Sequence, residues 1–207
     1  MKPKTMTLAI AIIMLSLNLV AADTSRTPAK REPLPIDFEI PGSAFLLRGS
    51  YFMPSEAVFK NIYGSLMAPG AEFRLGGQMV AGWLEGTYIQ RTGKLTFTQE
   101  ETKLTLIPIE GGLLVRFATG NLMPYLGAGG GYYMYKEKSD ALGEVKENKF
   151  GFCGVGGLSY HMSSFMLDLK VKYSSCKFKP GSTDTGVDPL EVNIGGLSLS
   201  LGLGLGF

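Results

Sequence analysis

Charged side chains recur at alternate positions inside otherwise apolar stretches of this 207-residue chain. These charges are Arg48, Glu72, Arg74, Glu85, Glu110, Arg116, Asp168, Lys170 and Lys172. Side chains of a strand alternate between its two faces, so the charges are predicted to share one face and the apolar residues the other. Cations and acids nearly balance, and such a set can pair and satisfy its hydrogen bonds in a closed interior.

Cys153 and Cys176 are the only two cysteines. If their strands pair through a tight turn near 163–165, opposed residues have numbers summing to about 327 to 329, and the cysteines sum to 329. Both are predicted to face inward, and an oxidising compartment permits a disulfide. A bonded pair and two buried thiols both stay open. No metal is expected, because a closed zinc site needs four ligands.

Other motifs that resemble catalytic signatures lack the necessary context. "GAGGGY" and "GLGLG" lie within strands, whereas a phosphate-binding glycine loop joins a strand to a helix, so we expect no cofactor. The single histidine, His161, stands in "HMS", and a His-x-Ser pair is used by lipid A deacylases of the outer membrane. No acid of obvious role follows it, and a nucleophile, base and orienting acid must converge. We therefore predict a turn residue and no enzyme.

Eight segments carry the two-residue period from residue 43 onward. They span about 44–53, 71–75, 80–89, 103–117, 122–136, 149–161, 165–176 and 197–207. The fifth is so rich in Gly and Tyr that its facing is ambiguous, with Leu122, Leu126 and Met134 in its more apolar row. Ser and Gly alternate with Leu in the last segment, and they are predicted to leave space for long charged side chains.

The connections alternate in length, which predicts how the strands are arranged. Long polar connections cover 54–70, 91–102, 137–148 and 177–189, and short turns join the remaining pairs. Short turns at one end and long loops at the other are typical of outer-membrane barrels. The fold class is therefore all-β, an eight-stranded antiparallel up-and-down transmembrane β-barrel.

A soluble lipocalin-like barrel is the structural alternative. Such a barrel would turn the charged face to water and the apolar face inward. The predicted charges instead nearly balance one another, which suits an enclosed lumen. The opposite face carries almost no charge, and a soluble monomer rarely exposes so large an apolar surface. Aromatic residues also cluster in two belts, as at the two interfaces of a bilayer. The belts are Tyr51, Tyr88, Tyr132, Phe150, Phe152 and Tyr173 near the long loops, and Phe117, Tyr160, Phe165 and Phe207 near the short turns.

The segment before the strands predicts export. Lys2 and Lys4 precede an apolar run of about 13 residues, shorter than the roughly 20 of a membrane-spanning helix, and small residues follow at 20–22. We predict a signal peptide over 1–22, a flexible Pro-rich arm over 23–42 and the barrel over 43–207. A net charge of +2 argues against nucleic acid as a partner.

Three stretches resemble a known family: "LRGSYFMPSEAVFKNIYG", "MPYLGAGGGYYMY" and the closing "GLGLGF". They are similar to the small bacterial outer-membrane β-barrels grouped with opacity-type and OmpW- or OmpX-like proteins. The resemblance implies that Leu201, Leu203, Leu205 and Phe207 form the C-terminal assembly signal, and that the chain is a client of the barrel-assembly machinery. It implies fold more strongly than activity.

Two functions remain open on these grounds, and a lipid A-modifying enzyme that would use His161 is a distant third. The favoured one is a structural or surface-interaction (adhesin-like) protein, a monomer in outer-membrane lipid whose long loops bind an extracellular ligand. The alternative is a narrow channel for small hydrophobic or ionic solutes, as in OmpW-like proteins, with the inner charges as a filter. An eight-stranded barrel is just filled by its side chains, which disfavours a wide pore.

Overall fold

The computed structural model describes residues 41–77, 79–94, 101–117, 120–139, 143–178 and 192–207. The predicted signal peptide and nearly all of the predicted arm lie outside these residues. Among the described residues, no helix has the length and apolar character needed to cross a bilayer.

Antiparallel strands dominate the described chain, with one short helix, α1 (Ala57–Tyr63). The strands are β1 (Ala44–Pro54), β2 (Leu66–Gly76), β3 (Val80–Thr87), β4 (Ile89–Lys94), β5 (Glu101–Arg116), β6 (Leu122–Ser139), β7 (Gly143–Met162), β8 (Phe165–Ser175), β9 (Lys177–Phe178), β10 (Val192–Asn193) and β11 (Gly196–Gly206). β9 and β10 form a separate two-stranded ribbon.

The remaining strands form one ring. Their order is β3-β2-β1-β11-β8-β7-β6-β5-β4, and a further pairing of β3 with β5 closes the sheet. β3 and β4 are two halves of one barrel strand, interrupted at Tyr88, because both pair with β5. The described residues therefore form the predicted eight-stranded antiparallel barrel, in which the first strand pairs with the last.

Burial alternates along each strand as the two-residue period predicts. In β8, Asp168 and Lys170 are fully buried while Leu169 is 48% exposed. The ambiguous strand β6 follows the same rule, because Tyr125 and Tyr133 are buried and Leu126 is 62% exposed. The polar residues therefore line the lumen and the apolar ones cover the outside.

Several strand boundaries differ from the sequence prediction, and one of them is the end of β4 at Lys94, which shortens the predicted loop over 91–102. β2 begins at Leu66, and the predicted loop over 54–70 contains α1, which ends at Tyr63 and is followed by Gly64 with a positive φ of 69°. The predicted loop over 137–148 is wrong, since β6 and β7 stay paired as far as Ser139 and Gly143. The polar residues of this segment are typical of a loop. A hairpin with water on both faces can also carry polar residues on both faces, so the strands stay paired there.

Helix α1 packs at the end of the barrel where the longer connections lie, here called the long-loop end. Phe59 and Tyr63 join a buried apolar layer with Phe52, Leu104 and Leu106. Tyr63 donates a hydrogen bond of 2.5 Å to Glu137 of β6, and Thr102 donates to the same carboxylate at 2.9 Å. Burial, with this carboxylate beside it, raises the pKa of Tyr63 above its usual range, so the phenol stays a donor.

Candidate functional site

Eight of the nine predicted lumen charges form one connected cluster, here called the lumen network. Its members are Arg48, Glu72, Arg74, Glu85, Glu110, Asp168, Lys170 and Lys172. None is more than 5% exposed. Four basic side chains face four acidic ones, so the formal charges of the network balance. That balance offsets much of the cost of burying so many charges.

Asp168 is the centre of the half of the network nearer the short turns. Its two oxygens accept hydrogen bonds from Arg48 at 2.6 Å and from Arg74 at 2.9 Å. Tyr125 donates at 2.9 Å and Ser159 at 2.6 Å to the same carboxylate. One carboxylate thereby joins residues from four different strands.

Two lysines link the carboxylates of the other half. Lys170 binds Glu72, and it also binds Glu85 at 2.6 Å. Lys172 binds Glu85 at 2.5 Å and contacts Glu110 as well. This chain of alternating charges ascends the lumen towards the long-loop end.

Arg116, the ninth predicted residue, lies apart from the network. Its Nη1 donates to the backbone carbonyls of Gly42 at 3.2 Å and Gly77 at 3.3 Å. Within the described residues it forms no ion pair, although it is buried. Its position near the short turns explains the difference, because the carboxylates lie deeper in the barrel.

Aromatic residues also build the site, and the sequence did not single them out. Arg74 lies over the ring of Tyr125, 4.5 Å from its centroid, and Lys170 lies 4.9 Å from the ring centroid of Trp83. Tyr133 donates a hydrogen bond of 2.5 Å to Glu110. The two-residue period was the signal that could have placed these aromatic side chains in the lumen. For the two tyrosines that signal was obscured, because the facing of β6 was ambiguous.

Glycines on the lumen wall leave the room that these long side chains need. A Cβ on Gly131 would lie 2.6 Å from Cγ of Glu110, and one on Gly202 would lie 3.1 Å from Nη1 of Arg48. The sequence-based expectation for the small residues of the last strand therefore agrees with the packing around Gly202.

Apolar layers border the network on both sides along the barrel axis. Ala44, Leu46 and Met166 cluster near the short turns, and the layer containing Phe52 and Phe59 lies at the long-loop end. A cavity of about 20 Å³ lies between the network and this second layer. That volume is enough for about one water molecule. Within the described residues, the lumen is therefore a packed core.

Cys153 and Cys176 are both buried and both free. Residues opposed across β7 and β8 have numbers that sum to 327, so Cys153 faces Ser174 and Cys176 lies one pair out of step. Diagonal neighbours are about 7–8 Å apart, beyond the usual Cα separation in a disulfide. The register therefore disfavours the disulfide that the sequence left open.

Thiol labelling tests this arrangement. We expect the protein unfolded without reductant to take up two maleimide groups, because both thiols are free. Prior reduction should change nothing, as judged by intact-mass measurement, and the folded protein should label slowly since both thiols are buried. Uptake of two groups only after reduction would contradict the free-thiol arrangement.

The prediction of a turn residue is wrong for His161, which belongs to strand β7, is opposite Met166 of β8 and is 5% exposed because it faces the lumen. Its Nδ1 has no hydrogen-bond partner within the described residues. Ser163, the other half of the His-x-Ser pair, takes a positive φ of 57° in the turn itself. No group of three or more His, Cys, Asp or Glu side chains in the described part of the chain is placed to hold a metal ion.

Comparisons with solved structures identify the same architecture elsewhere. No protein-family model and no curated protein matches the chain. Neisserial surface protein A superposes with a TM-score of 0.58 at 18% identity, over 80% of this chain and 97% of that one. Ail of Yersinia pestis, solved in complex with the heparin analogue sucrose octasulfate, gives 0.53 at 14% identity, over 81% and 100%. Outer membrane protein W of E. coli gives 0.51 at 15% identity, over 81% and 99%.

These similarities lie in the fold, since all three identities are low. The agreement covers nearly the full length of each neighbour, and it includes the closed antiparallel ring that the strand pairings define. The chain therefore has the fold of the small bacterial outer-membrane β-barrels.

Proposed function

We propose that the chain is a non-enzymatic integral protein of the bacterial outer membrane, with a lumen closed to solutes and a structural or surface-interaction (adhesin-like) role. The observation that carries this proposal is the filled lumen. A neutral network of buried ion pairs occupies its middle, and an apolar layer borders that network on each side. A solute would have to break several buried ion pairs to pass.

The outer surface supports placement in a lipid bilayer. Large apolar side chains are exposed around the ring, among them Leu47 at 63%, Leu126 at 62% and Leu203 at 64%. Water would disfavour so large an apolar surface, and lipid would cover it. The long-loop end then faces outside the cell, because both chain ends of the barrel lie with the short turns.

The assembly and export steps extend this proposal. A predicted signal peptide over 1–22 would direct export, and the terminal segment Leu201, Leu203, Leu205 and Phe207 would be recognised by the barrel-assembly machinery. The four residues are outward-facing and exposed, as a recognition surface requires. We propose a monomer with lipid as its immediate neighbour.

An extracellular ligand is the proposed partner of the long-loop end. Among the described residues, α1 and the extended β6–β7 hairpin lie at that end and provide surface for a ligand. The chain shares its fold with Ail, which has been solved in complex with a heparin analogue, and this supports the proposal that it binds a ligand.

Planar-bilayer recording distinguishes this role from a narrow channel. We expect refolded protein to show no discrete conductance steps over a range of voltage and salt, because the lumen is packed. Refolding would be verified by the change in gel mobility on boiling that folded outer-membrane barrels show. Steps that disappear in Glu110→Ala or Arg116→Ala would contradict the proposal and favour the channel.

A further inference from the structure

On the outward face of β5, β6 and β7, the side chains change from apolar to charged towards the long-loop end. The first row places Tyr132 opposite Phe150 and Ile109, and the next places Met134 opposite Asn148. Beyond these rows the outward positions become cationic. We call Lys103, Lys136, Lys138 and Lys146 the lysine rows.

Register brings the lysines directly against one another. Lys103 is opposite Lys138 across β5 and β6, and Lys136 is opposite Lys146 across β6 and β7. Like charges directly opposed across a sheet destabilise the pairing. Glu144 lies between Lys136 and Lys146 and is also the residue opposite Lys138 across β6 and β7. Lys103 and Lys138 are therefore the opposed pair with no carboxylate bound between them among the described residues.

The described acids compensate only part of this charge. Glu144 binds Lys146 at 2.5 Å and Lys136 at 3.3 Å. Lys103 and Lys138 have no ion-pair partner among the described residues, and Glu101 is the next outward residue of β5. Four lysines against one bound carboxylate leave a cationic surface on the same side of the sheet as the apolar belt.

The height of these rows indicates what they face. Tyr132 and Lys136 are four residues apart, about 13 Å along a strand at about 3.3 Å per residue. With a strand tilt of about 35–45°, Lys136 lies roughly 10 Å further from the hydrocarbon than the aromatic row, and Lys138, two residues further on, roughly 15 Å. Aromatic belts lie at the membrane interface, so the lysines are level with polar headgroups.

We propose that the lysine rows bind the phosphate groups of outer-leaflet glycolipid. The phosphates add anions to a surface on which Glu144 is the one carboxylate bound to these lysines, and the apolar rows below contact the acyl chains of the same molecules. This inference rests on the membrane location given above under Proposed function, and it names the lipid chemistry that one side of the barrel recognises.

Lysine footprinting in vesicles tests this proposal. The barrel would be inserted into phosphatidylcholine vesicles containing either bis-phosphorylated or dephosphorylated lipid A, and lysine acetylation would be measured by mass spectrometry. We expect the phosphorylated lipid to slow acetylation of the four lysines several-fold. Lys60 of α1 and Lys149, on the opposite face of β7, should react equally in both.

Affinity provides the second measurement. Each lysine near an anionic lipid contributes about fivefold, so Lys103→Gln with Lys138→Gln should weaken binding of the phosphorylated lipid by about 25-fold. The matched control, Lys60→Gln with Lys149→Gln, should bind as the unchanged protein does. Retention of the mobility change on boiling would show that both variants fold.

Three outcomes would overturn the proposal. The first is equal acetylation in both kinds of vesicle, and the second is equal loss of affinity in the control variant. The third is protection by soluble heparin in lipid-free detergent but not by phosphorylated lipid, which would assign the lysines to a soluble polyanion. Failure of the barrel to insert would instead contradict the membrane location itself, so the two failures are distinguishable.

Discussion

Replacing Asp168 with alanine is expected to lower the free energy of unfolding by about 3–5 kcal/mol, because it removes one of the two carboxylates that two buried arginines share and leaves Glu72 as the other. Arg48 and Arg74 both donate to this carboxylate, at 2.6 and 2.9 Å. Tyr125 and Ser159 lose an acceptor as well. Urea unfolding in vesicles, followed by the fluorescence of the single tryptophan Trp83, measures the change.

Two further variants separate the network from charge in general. Glu144→Gln removes a carboxylate whose ion pairs lie on the outer, water-facing part of the β6–β7 hairpin, and solvent screens such pairs, so stability should hardly change. Asp168→Asn keeps a hydrogen-bond acceptor but removes the charge, and it should fall between the other two. A loss in Asp168→Ala no larger than in Glu144→Gln would show that the network contributes nothing to stability.

Replacing Gly157 with alanine is expected to lower the free energy of unfolding by about 1–3 kcal/mol, the range for overpacking a filled interior. A Cβ at this position would lie 2.5 Å from Cζ of Tyr125 and 2.5 Å from the backbone oxygen of Leu169. Tyr125 cannot move freely, because it donates to Asp168 at 2.9 Å and stacks under Arg74. The strain would therefore pass into the lumen network.

Gly154 offers a matched control on the same strand. A Cβ there would meet no atom within 4 Å, and alanine costs less than glycine in a strand interior. Gly154→Ala should therefore keep or slightly raise the free energy of unfolding in the same urea experiment. Equal losses in the two variants would mean that loss of strand flexibility, and not the contact with Tyr125, is responsible.

Local pattern was enough to predict the barrel. The two-residue period along β8 separates Asp168 and Lys170 from Leu169, and the same alternation in the last strand separates Gly202 from Leu203. Such a period depends only on backbone geometry, so it survives without knowledge of the partner strands. The boundaries at Leu66 and Ser139 could not be predicted this way, since polar residues continue a paired hairpin as readily as they form a loop.

The charged interior was predictable as a set but not as a network. Alternation placed nine charges on the inner face, yet their pairing depends on strand register and barrel shear, which bring Asp168 of β8 to Arg48 of β1 and Arg74 of β2. Register also explains why Arg116 binds carbonyl oxygens and why Cys153 faces Ser174.

The sequence by itself determined the architecture, the two faces of the sheet and the inward location of the charges, because each follows from periodicity along one strand. Only the tertiary structure decided that the lumen is filled and which lysines oppose one another outside. Those features arise between strands distant in the chain, and no spacing within a strand encodes them.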